Sequence, residues 1–110
     1  MSRFAPVPSS PNCVSTRADR SDKQHFIEPL PSVGVDRVKQ VMAELPRCEL
    51  VEEDGNYLHY VVKTKWLGFK DDVEIEVEPD HTHVRSASRV GYGDLGVNRK
   101  RVENLRKALS

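Results

Sequence analysis

The run Asp71-Asp72-Val73-Glu74-Ile75-Glu76-Val77-Glu78 alternates acidic and aliphatic residues from Asp72 onward. Successive strand side chains point to opposite faces, so Val73, Ile75 and Val77 share one face and Asp72, Glu74, Glu76 and Glu78 the other. A helix would smear both sets around its axis, so this segment is a half-buried strand. Pro79-Asp80 follows as a loop. Parity then sets Val77 opposite Thr82, Ile75 opposite Val84 and Val73 opposite Ser86, with Glu76 facing His83 and Glu74 facing Arg85 on the other side. A slip of one residue would mix the two faces, which favours this register family.

Neighbouring segments extend this hairpin. In YLHYVVKTKWL, Leu58, Tyr60, Val62, Thr64 and Trp66 form one face against His59, Lys63 and Lys65. Cys48-Glu-Leu-Val-Glu52 precedes it, joined by Glu-Asp-Gly-Asn, a hairpin signal because Asp-Gly tolerates positive φ. Val35, Val38, Met42 and Leu45, with Val41 beside them, mark a helix that Pro46 stops. A second helix is expected from about Arg99 to Leu109, with Val102, Leu105 and Leu109 on its buried face. Asn98 is its expected N-cap, and Val97 and Val102 its hydrophobic staple. The fold class is α+β: a four-stranded antiparallel meander, two helices packed on one face, and an extended Pro-rich N-terminal arm.

Five prolines within residues 1–34 exclude a helix or central strand there. Residues 1–10 are expected to be a mobile tail and 11–110 a single α+β domain. Asn12-Cys13-Val14 and His25-Phe26-Ile27 should lie against that domain. A chain of 110 residues leaves no room for separate cofactor and substrate domains. No apolar run is long enough to span a membrane, and MSRFAPVPSSPN has no apolar signal core, which points to the cytoplasm. Two cysteines make no disulfide framework.

Net charge is zero, yet unevenly spread. Glu49 to Asp80 holds ten acids and three bases; Arg85 to Lys107 holds seven bases and two acids. Mutual neutralisation inside one fold is the simpler reading.

Several blocks resemble a known family. They are Pro11-Asn-Cys-Val-Ser15, Phe69-Lys-Asp-Asp-Val-Glu74, Arg85-Ser-Ala-Ser-Arg-Val-Gly-Tyr92, and Asp94-Leu-Gly-Val-Asn-Arg-Lys-Arg-Val-Glu103. They are similar to the signature of an uncharacterised bacterial and chloroplast family, domain of unknown function number 1499. The resemblance implies that Asp71, Asp72, Arg85, Ser86, Ser88, Arg89, Tyr92, Asp94, Asn98 and Arg101 belong to the family pattern. It implies no activity.

Candidate chemistry is sparse. Cys13 with His25 as base would make a nucleophile, but a lone cysteine is more simply a packing residue. His81 and His83, with His59 or Glu76, have permissive metal-ligand spacing, yet zinc needs three or four placed ligands; no metal and no cofactor are expected. Asp71-Asp72 could serve as an acid–base pair, but their side chains alternate faces, which favours ion pairs with Arg89 or Arg101. The Gly91–Gly96 turn lacks the Gly-Lys-Ser/Thr ending of a phosphate loop.

Arg99-Lys100-Arg101 opens the last helix, where cations oppose the macrodipole. Either Asp71, Asp72 or Asp94 answers them internally, or an external anion does. These alternatives lead to a non-enzymatic binding module for an anionic small molecule or acidic protein surface, sited at Arg89, Tyr92, Asn98, Arg99 and Arg101. The alternative is a small enzyme using Cys13 or Asp71/Asp72 with Arg89. Specific nucleic-acid binding through Arg99, Lys100, Arg106 and Lys107 is disfavoured by the acidic strands and few aromatics.

Overall fold

The computed structural model describes all residues except Met1, Trp66 and Tyr92. Its elements are β1 (Cys13–Ser15), α1 (Val35–Ala43), β2 (Cys48–Asp54), β3 (Tyr57–Lys63), β4 (Lys70–Val77), β5 (Thr82–Ser88) and α2 (Val97–Leu109). The sheet is antiparallel in the order β1-β5-β4-β3-β2.

The β4–β5 register follows side-chain parity residue by residue. Val77 pairs with Thr82, Ile75 with Val84, Val73 with Ser86, Glu76 with His83 and Glu74 with Arg85. Val73, Ile75 and Val77 meet Leu58, Tyr60 and Val84 on the inner face, where Val38, Met42, Val102, Leu105 and Leu109 from both helices close the core. A fully buried aliphatic side chain contributes about 1.5–3 kcal/mol, so this one layer carries most of the hydrophobic driving force. Two-residue closure at Gly55-Asn56 brings Asp54 opposite Tyr57, with Gly55 at φ 60°.

Five expectations need correction. The sheet has five strands, not four, because Cys13–Ser15 pairs with Ala87, Ser86 and Arg85. Proline forbids a ladder at residues 6, 8 and 11, but Cys13-Val-Ser keeps its donors, and β5 would otherwise be an open edge. Val14 enters the core from this strand.

β3 stops at Lys63. Thr64 instead closes a loop: its N–H donates to the Phe69 carbonyl, the Phe69 N–H donates to its Oγ1, and the Gly68 N–H donates to its carbonyl. Thr64 is thus not on the strand face, and Trp66 lies outside the described residues.

α1 ends at Ala43 and leaves Leu45 more than one-third exposed, because residues just before a proline are pushed out of helical geometry. α2 begins at Val97 with Gly96 as N-cap, so Asn98 is already helical and caps nothing. Val97, the first helical residue, is exposed and forms no staple.

No helix among the described residues is long and apolar enough to cross a membrane.

Candidate functional site

The glycine turn after β5 is tied down from both sides. The Asn12 amide donates to the Ser88 and Gly91 carbonyls at 3.2 and 2.9 Å. Asp94, not Asn98, caps the start of α2. Its carboxylate accepts from the N–H of Gly96 at 2.9 Å and of Asn98 at 3.2 Å. Burial disfavours the Asp94 charge, but these bonds and the one from the Asn98 side chain outweigh it and hold its pKa below the usual carboxylate value. Gly96 takes φ 81°, a left-handed conformation that admits glycine without a Cβ clash.

Asn98 is fully buried. Its Oδ1 accepts from Ser86 Oγ at 2.7 Å and from Arg101 Nη1 at 2.8 Å. Its Nδ2 reaches the Asn12 carbonyl, Ser88 Oγ and Asp94 Oδ2 at 3.1, 3.0 and 2.6 Å. Arg101 Nη2 then pairs with Asp71 Oδ2 at 2.8 Å, with Asp71 almost fully buried. One polar network therefore joins β1's approach, β4, β5, the glycine turn and α2. A signal for it existed in the sequence. Parity puts Ser86 on the core face, and a buried hydroxyl needs a partner.

Asp72 faces the other way. Arg89 grips it with two bonds of 2.8 and 2.9 Å, and His59 Nε2 lies 2.8 Å from its Oδ1. The Arg89 bond is the leading reason the Asp72 pKa is lowered; burial opposes it and His59 assists. Asp71 and Asp72 thus hold different arginines on opposite faces rather than facing each other as an acid–base pair.

The expected site residues are accordingly dispersed. Arg89 lies on the outer face, Asn98 and Arg101 on the inner, and Tyr92 outside the described residues. Arg99 Nη2 points to the carbonyls of Gln24 and Phe26 at 3.3 and 2.9 Å. Arg106, two turns along, donates to the carbonyls of Glu28 and Pro29, both at 2.8 Å. These arginines clasp backbone, a use that sequence charge counting misses. The acids of the outer face meet N-terminal cations instead: Arg17 pairs with Glu76 and Glu78, and Arg3 with Glu52 and Asp54.

Other candidate chemistry is similarly committed. Cys13 is buried, and burial raises its thiol pKa despite the opposing pull of Arg85. Both His25 ring nitrogens are engaged, Nδ1 by Asp22 and Nε2 by the Ser10 carbonyl, each at 2.7 Å. His83 Nδ1 is 2.9 Å from Thr16 Oγ1. No three His, Cys, Asp or Glu converge among the described residues.

Two cavities share Val97 as a lining residue. The first, about 460 Å³, is lined by Phe69, Val90, Leu95 and Val97 over Thr64, Ser88, Asp71 and Asp94. Leu95 is fully exposed, and Phe69, Val90 and Val97 are about half exposed. The second, about 300 Å³, is lined by Leu45, Pro46, Val62 and Val97 with Arg47, Lys100 and Arg101.

The chain belongs to the family described as protein of unknown function (DUF1499), whose model matches residues 3–109. No curated protein and no solved structure matches it.

Proposed function

We propose that this family member is a non-enzymatic binding module for a small amphipathic anion. One observation carries the reading. Val97 is the common wall of an apolar cavity and of a cavity lined by three cations and no acid. The apolar portion of a ligand fits against Phe69, Val90 and Leu95, and its anionic group beside Arg47 and Lys100. The carboxylates under the apolar cavity do not repel it strongly, since Asp71 is matched by Arg101 and Asp94 by three N–H bonds. Lys100 has no ion-pair partner among the described residues. Either volume falls in the range of small-molecule sites. Of Arg89, Arg99 and Arg101, only Arg101 lines this surface; Arg89 and Arg99 would have to leave their present partners.

Thermal unfolding with three probes tests the proposal: octanoate, octanol and inorganic phosphate. A ligand of the folded state raises the midpoint as its concentration passes its dissociation constant. Octanoate should raise it more than either other probe. Leu95→Asp and Lys100→Glu, both at exposed positions, should each abolish the rise without lowering the ligand-free midpoint. Equal effects of octanoate and phosphate, or none from octanoate, would refute it.

A further inference from the structure

Arg85, on the outer face of the sheet, is only half answered. It is 8 % exposed, and its Nη2 donates to the Pro6 carbonyl at 2.8 Å. Its Nε has no hydrogen-bond partner among the described residues, and Glu74 stands 3.7 Å from Nη1. Nε and Nη2 form the guanidinium edge that takes a carboxylate by two parallel bonds. Arg89 uses that edge on Asp72 in this same molecule. On Arg85 a single carbonyl oxygen sits where two oxygens fit, and a buried unanswered donor is unfavourable.

The chain's own N-terminal segment lies along this face as a bound peptide would. The Arg3 N–H donates to Glu76 at 2.8 Å and the Ala5 N–H to Glu74 at 3.0 Å. The Arg3 guanidinium lies 4.2 Å from the Tyr57 ring centroid and pairs with Glu52 and Asp54. Two donated N–H groups, one accepted carbonyl and one read side chain are the elements of extended-peptide recognition.

We infer that the outer face is a binding site for an extended peptide ending Arg-Xaa-Xaa-Xaa with a free C-terminal carboxylate, which residues 2–6 occupy as a tethered competitor. One carboxylate oxygen takes the place of the Pro6 carbonyl and the other meets Nε. The arginine supplies the positive charge that the surrounding acids demand. Tethering gives the internal segment a high effective concentration, so the external peptide binds the native chain weakly and a chain with a loosened segment better.

The test uses the full chain carrying Arg3→Ala and fluorescently labelled Ser-Arg-Phe-Ala-Pro, as free acid and as C-terminal amide, followed by anisotropy. The acid should bind about tenfold or more tightly than the amide, because only it fills both donors. Native chain should bind the acid more weakly than Arg3→Ala. Arg85→Lys in the same background should erase the acid–amide difference. Equal affinities for acid and amide, or no binding of the acid up to about a millimolar, would overturn the inference. Should Arg85→Lys fail to fold, the acid–amide comparison on Arg3→Ala still decides.

Discussion

Asn98 is fully buried with both ends of its amide in use, which makes its chemistry unusually readable by mutation. Asn98→Asp keeps the shape, removes the donor and sets a second carboxylate against Asp94. We expect a loss of about 3 kcal/mol in denaturant unfolding at neutral pH, shrinking in acid as one carboxyl of the pair protonates. A pH-independent loss would mean that the two carboxylates are not in contact. Asp94 itself sets a second residue-scale test. Its folded pKa is depressed, so its contribution is complete above the unfolded value of about 3.9 and is lost as pH falls through the folded value. Asp94→Asn should therefore flatten the acid limb of the stability curve; an unchanged limb would show that the cap is not formed. The two aspartates of β4 differ for a reason of environment. Arg101→Lys cannot keep both the bond to the buried Asp71 carboxylate and those to Ser86 and Asn98, and should cost about 2 kcal/mol or more. Arg89→Lys, at a solvent-screened pair, should shift the denaturant midpoint far less than Arg101→Lys does.

At the scale of the element, α2 is held by unlike forces on its two sides. Val102, Leu105 and Leu109 bury themselves against the sheet, while Arg99 and Arg106 reach the carbonyls of residues 24–29. That segment has few regular backbone partners, so the guanidinium groups satisfy oxygens that would otherwise need water. Replacing both arginines by alanine should speed amide hydrogen exchange in residues 23–30 and leave exchange in α2 nearly unchanged. Equal acceleration in both would instead show that the arginines hold the helix. β1 is a strand only because of its neighbour. Three residues cannot sustain a strand alone, and β5 supplies the edge.

For the whole molecule, one sheet face gathers both helices into a single core, so a single cooperative unfolding transition is expected by fluorescence and circular dichroism alike. Non-coincident curves would mean that α1 melts separately. The zero net charge conceals a layered arrangement. Asp71 is neutralised inside, Asp72 at the rim, and the outer acids by Arg3 and Arg17 from the start of the chain. Among the described residues, the acid-rich and base-rich stretches pair through Glu74–Arg85, Asp72–Arg89 and Asp71–Arg101.

The alternation in β4 and β5 determined faces, register and the opposed directions of Asp71 and Asp72, because a period of two is a local property of extended backbone. The family blocks and the buried faces of both helices were also legible, being patterns of residue type. What β1 pairs with, which group caps α2, and whether an arginine meets a carboxylate or a carbonyl depend on which segments the folded chain brings together. Asn98 has the composition of a cap and the position of a core hub; only packing of α2 against Ser86 and Asn12 selects between them. The two cavities beside Val97 likewise arise between loops distant in sequence, where no local pattern encodes a shared wall.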